Sequence, residues 1–182
     1  MEPVTSSPAS HIEPSLTEWV VLALLAEGPV HGFAIARELR AGADLGRIIT
    51  VQRSLVYRAL DRLVSAGLAE PHQTEPGEAG PSRTLHRPTQ TGNAAVEHWL
   101  DRPVDHVRDL RIEFLAKLRL NQRRGRDPGP LVESQRAALA DTFDRLTTPD
   151  DGDVVELWRD HNARAAQTFL DRLAARSRSR RS

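Results

Sequence analysis

Apolar positions recur at helical spacing along most of this chain, and the stretch from Leu68 to Thr89 breaks that rhythm. EWVVLALLAEG is apolar nearly all round, which predicts a core helix from about Leu16 to Ala26. Thr17 is its expected N-cap, and Gly28-Pro29 stops it. A second helix over HGFAIARELR is expected to carry Phe33, Ala36 and Leu39 on one face and to end near Gly42. A third starts near Thr50. If Val56 marks its inward direction, Leu60, Leu63 and Val64 fall within about 80° of it at the α-helical step. Ser54, Arg58, Asp61 and Ser65 then lie opposite, Arg62 sits on the flank, and Gly67 ends the helix.

Leu68–Gln73 and Arg83–Thr89 are short extended runs around the turn-rich EPGEAGPS. They predict a two-stranded ribbon, which must pack on neighbouring helices to be stable. The rest of the chain reads as helical. One helix runs through AAVEHWL, capped by Thr89 or Thr91 and ended by Arg102-Pro103. Another spans about Arg108 to Gln122 and buries Leu110, Phe114 and Leu118. After the linker GRDPGP come a helix from Leu131 to Leu146, the break TTPDDGD, and a last helix from about Val154 to Ala175. The predicted fold is mainly α, a winged helix-turn-helix domain with a two-stranded wing plus a C-terminal helical dimerisation domain. The expected organisation is a disordered arm over 1–14, the winged domain over 15–92, the helical domain over 93–176 and a basic tail over 177–182.

A polar, basic helix face followed by a hairpin with arginines on its return strand suits a DNA duplex. The helix enters the major groove while the hairpin reaches the adjacent backbone or minor groove. Arg58 is the first candidate for base or phosphate contact, with Gln52, Arg53, Ser54 and Arg62 in support. Arg83 and Arg87 are the candidates on the return strand. A solvated face is the competing reading of the helix taken alone, and the hairpin shifts the balance toward DNA.

Charge tempers this picture. Lys and Arg total 25, as do Asp and Glu, so any attraction to phosphate depends on the local face. Glu75 and Glu78 in the ribbon tip argue against deep insertion there. No run approaches the roughly 20 apolar residues of a membrane span. The start lacks the pattern of a signal peptide, and cysteine is absent, so a cytoplasmic protein is expected. The histidines are scattered, and no phosphate loop, dinucleotide fingerprint or nucleophile elbow occurs. No metal, cofactor or enzymatic activity is expected.

These residues resemble the PadR-type transcriptional regulators. VVLALLAEGPVHGFAIARELR is similar to that family's first two helices, including the Gly-Pro and His-Gly-aromatic junction. SLVYRALDRLVSAGLAE places Tyr57 at the characteristic tyrosine, and GPSRTLHRPTQTG resembles the wing strand with its Thr-x-x-Gly exit. RIEFLAKLRLNQRRG and LVESQRAALADTFDRL resemble the helical domain of the longer subfamily. His86 stands where the wing usually has an aromatic, and Pro88 implies that its strand is an edge or ends early.

The resemblance implies a homodimeric repressor that straddles a palindromic operator, with Tyr57 as a phosphate-contacting hydroxyl. It also implies release by a small hydrophobic or aromatic effector, for which Trp19 and Trp99 are candidates beside a plain packing role. The last helix supports a dimer independently. Its stripe of Val154, Trp158, Ala165, Phe169 and Leu173 has little of its own domain left to cover it, and an isologous partner helix would do so. The competing functions are a winged-helix protein-interaction module that does not bind DNA and a MarR-type regulator.

Overall fold

α1 (Leu16–Leu25) starts where its apolar pattern predicts, with a different cap. Ser15, and not Thr17, is the N-cap: its hydroxyl accepts from the Glu18 N–H while the Glu18 carboxylate accepts from the Ser15 N–H at 2.7 Å. This reciprocal box satisfies two orphan donors at once. In this computed structural model, which describes residues 13–76, 82–146 and 153–179, α1 then runs buried from Val20 to Leu25. The expected arm lies almost wholly outside the described residues, as do Glu78 and residues 180–182 of the tail.

A strand of two residues, β1 (Val30–His31), follows and leads into α2 (Gly32–Glu38). Ile35 and Leu39 are the inward residues of this segment, one helical turn apart. Phe33 is not on their face and stands 40% exposed, which corrects the expected Phe33–Ala36–Leu39 grouping. α3 (Arg53–Ser65) buries Val56, Leu60 and Leu63 as its periodicity predicts, adds Ala59, and leaves Val64 half-buried against the same core. It ends in a paired closure in which Leu68 N–H donates to Leu63 O and Gly67 N–H to Val64 O.

β2 (Ala69–Glu75) and β3 (Arg83–Pro88) form the wing, but the sheet has three strands in the order β1-β3-β2. Val30 pairs with His86 and His31 with Leu85, so β3 is central. Pro88 is tolerated because it is the last residue of β3; Thr89 N–H resumes the pairing by donating to Leu68 O at 3.0 Å. Thr89 also starts α4 (Gln90–Asp101), its hydroxyl accepting from Gly92 N–H and donating to Gly67 O. Gly92 is required here, since a Cβ would stand 1.9 Å from Leu68 O.

After a 3-10 turn at Val107–Arg111 come α5 (Glu113–Arg123), α6 (Gly129–Leu146) and α7 (Val154–Ser179). The helix expected from Arg108 therefore begins later, and the last helix continues beyond Ala175, with Arg178 paired to Glu133. Two hydrophobic cores result. The first joins α1, α2 and α3 to Val96, Trp99 and Leu100 of α4 and so extends beyond residue 92. The second gathers Val104, Leu110, Phe114, Leu139, Phe143, Ala163, Leu170 and others. α5 serves both, with Ala116 and Leu120 in the first and Phe114 and Leu118 in the second.

Ion pairs reinforce that join. Arg123 of α5 reaches Glu27, Glu38 and Asp44 of the N-terminal module, and Arg119 holds Asp44 at 2.9 Å.

Candidate nucleic-acid interface

α3 is held by its buried apolar face, so the opposite face is set outward. Gln52, Arg53, Ser54, Tyr57 and Arg58 are all exposed there. Gly32 sets how closely α2 approaches this helix: a Cβ on it would meet Leu60 at 2.9 Å and the Tyr57 ring at 3.0 Å. That contact explains the small residue in the His-Gly-aromatic junction. His31 caps α2, its Nδ1 accepting from Ala34 N–H at 3.1 Å.

The expected contact residues fall into two groups. Arg53, Arg58 and Arg83 have no carboxylate partner among the described residues. Arg53 stacks over the Phe33 ring at 5.1 Å and over Tyr57 at 5.5 Å, and Arg83 from β3 stands 5.9 Å from the Phe33 ring. Arg62 and Arg87 are engaged within the fold. Arg62 turns to Glu18 of α1 at 3.1 Å, and Arg87 pairs with Glu70 across the wing at 2.8 Å. The Arg87–Glu70 pair is exposed and contributes at most about 1 kcal/mol, so a phosphate can displace it, whereas the Glu18 that holds Arg62 is buried.

Between α3 and β3 lies a cleft of about 500 Å³ lined by residues including Phe33, Arg53, Tyr57, Arg83 and His86. Phe33 is the residue sequence reasoning missed. A lone aromatic on a short helix reads as core, and the signal against it is the Ile35–Leu39 pair that already fills the inward face.

Trp19 and Trp99 are brought together. Their rings stack nearly parallel with centroids 5.6 Å apart. Trp99 is buried and donates from Nε1 to Glu113, while Lys117 lies 5.0 Å from its ring centroid. Lys117, the only lysine, is buried and pairs with Glu113 at 2.7 Å and with Arg102 O at 3.0 Å. Burial pushes its pKa below the usual lysine range despite Glu113.

On α7, Ala163, Leu170 and Ala174 face the second core. Val154 and Trp158 are 76% and 70% exposed, and Ala165 and Phe169 share that outer side. Leu173 sits at the boundary, half-buried against the second core. Among the described residues no group of three His, Asp or Glu could hold a metal ion, and no helix is long and apolar enough to cross a membrane.

A helix-turn-helix whose third helix adjoins a two-stranded wing, with arginines on both that have no carboxylate partner among the described residues, defines a winged helix-turn-helix protein. Residues 21–98 match the transcriptional regulator PadR-like family. That match runs from α1 to α4 and so covers the winged module, which is similar to the family over that segment. Over nearly its full length the chain is also similar to solved structures of Bacillus subtilis PadR. The structure in complex with operator DNA has 16% identity, covers 90% of this chain and 99% of that one, and has a TM-score of 0.46. The complex with p-coumaric acid has 15% identity, the same coverage and a TM-score of 0.42. A further PadR structure has 17% identity, covers 94% and 98%, and has a TM-score of 0.42. No curated protein matches the sequence.

Proposed function

We propose that this chain is a homodimeric repressor that reads a palindromic operator with α3 and the wing of each copy. The carrying observation is that Arg53, Arg58 and Tyr57 on α3 and Arg83 on β3 are outward-facing groups without a carboxylate partner among the described residues. Guanidiniums left unneutralised beside a cleft are suited to bidentate contact with phosphate or guanine. Gln52 and Ser54 at the start of the helix add hydrogen-bonding groups where a recognition helix meets base edges. Arg62 and Arg87 are secondary contacts, with Arg87 exchanging Glu70 for phosphate.

The second copy is assigned to α7. The outer stripe of Val154, Trp158, Ala165 and Phe169, with Leu173 at its margin, is an apolar face that an isologous partner would cover. Two readers joined this way address half-sites about 34–36 Å apart. The Trp19–Trp99 stack, at the junction of the winged module and α5, is the proposed contact for a small hydrophobic or aromatic effector. A titration of tryptophan fluorescence with aromatic acids tests that part.

Salt titration of duplex binding tests the function itself. Counterion release makes log affinity fall linearly with log salt, by about 0.9 for each phosphate contacted. Arg58→Ala should lower both affinity and slope. A protein that binds no duplex at low salt would instead be an interaction module, the alternative with which zero net charge is compatible. The dimer is checked by light scattering: Trp158→Asp with Phe169→Asp should yield monomers, and an unchanged mass would remove α7 from the interface.

A further inference from the structure

Phe33 does not pack in the core although it is a large apolar residue on a helix whose Ile35 is buried there. It stands instead between the two parts of the reader. Arg53, from the first turn of α3, lies over its ring at 5.1 Å, and Arg83, from the first residue of β3, lies 5.9 Å from the same ring. We infer that Phe33 is a positioning residue that holds the helix arginine and the wing arginine in binding-ready orientations. The inference rests on the DNA-binding reading and adds a residue that makes no phosphate or base hydrogen bond of its own.

The physical case has three parts. An aromatic face attracts a guanidinium without neutralising it, so the full positive charge stays available to phosphate. A carboxylate in the same place would hold the arginine equally well but cancel its charge, as Glu70 does for Arg87 on the same wing. Long arginine side chains lose rotamer freedom on binding, and a ring that orders them beforehand reduces that loss. Because the two arginines come from different elements, one ring also couples the wing to the recognition helix. Tyr57, at 5.5 Å from the Arg53 guanidinium, extends the platform on the helix side only.

The test uses the full chain and a labelled duplex recovered from a random pool, with affinity measured across a salt series. Phe33→Leu removes the ring and keeps an apolar side chain; Phe33→Gln repeats the test without apolar surface; Phe33→Tyr keeps the ring. Leu and Gln should weaken binding about fivefold to thirtyfold, the effect of ordering two long side chains, with an unchanged salt slope. Tyr should restore wild-type affinity, and thermal unfolding should match wild type in all three.

In an Arg53→Ala/Arg83→Ala background, Phe33→Leu should cause no further loss. A loss that persists there would mean that the ring itself contacts DNA, and the positioning role would be wrong. Wild-type binding with Leu and Gln variants of equal affinity would overturn this inference alone. Absence of wild-type binding at low salt would overturn the DNA-binding reading and this inference with it.

Discussion

The Gln135 side chain closes a two-bond ring on the backbone of Val104. Its Oε1 accepts from Val104 N–H at 2.7 Å and its Nε2 donates to Val104 O at 2.9 Å, with the amide fully buried. One side chain of α6 thus satisfies both polar groups of a residue in the connection that follows α4. Gln135→Leu keeps most of the volume and strands both groups away from water. Each unsatisfied group costs about 1–3 kcal/mol. Urea unfolding should therefore show a loss of about 2 kcal/mol or more, and a near-neutral result would mean that water reaches Val104.

Asp44 carries the acid dependence of the join between α5 and the N-terminal module. Its hydrogen bonds to Arg119, aided by Arg123, hold its carboxyl below the ordinary value of 3.8. A depressed carboxyl contributes stability that is present above the unfolded pKa and lost as pH falls through the folded one. Wild type should lose stability on acidification below 3.8. Asp44→Asn should be weaker already at neutral pH and should show a shallower acid limb in paired unfolding curves.

Lys117 has the same sign of pH dependence at the alkaline end, but there the shift opposes the fold at neutral pH because burial disfavours the charged amine. Burial lowers its pKa from 10.5, so on the alkaline side the unfolded chain holds more protons than the folded one and stability rises with pH toward that value. Lys117→Met fills similar space without the charge. Stability measured from neutral to alkaline pH should then lose this rise, while Glu113 keeps its bond from Trp99 Nε1.

Gly92 gives a steric prediction. A methyl group there meets Leu68 O, a backbone atom pinned by the bond from Thr89 N–H, so no flexible side chain can yield. Gly92→Ala should destabilise by about 1–3 kcal/mol, the usual range for overpacking. Loss should appear in both thermal unfolding and duplex binding, because the same contact seats the wing on α4.

Elements with a long period or strong turn chemistry were legible in the sequence. α1 and α3 follow from their apolar spacing, the wing from two extended runs around Gly and Pro, and the exit of β3 from Thr89 and Gly92. β1 was not legible because two residues show no period; only β3, far along the chain, makes them a strand. Phe33 was misplaced because a helix of seven residues offers too few turns to average out one aromatic. The separation of Arg62 and Arg87 from Arg53, Arg58 and Arg83 depends on partners such as Glu18, which become neighbours only on folding. The Trp19–Trp99 stack is of the same kind.

α5 has a practical consequence for anyone who would move this reader to another protein. Ala116 and Leu120 complete one core while Phe114 and Leu118, on the same helix, complete the other. A chimera spliced between α4 and α5 would leave a hole in the donated half and a surplus helix face in the recipient. The proposed DNA-reading face is thus not a detachable cassette, and its smallest transplantable form includes α5.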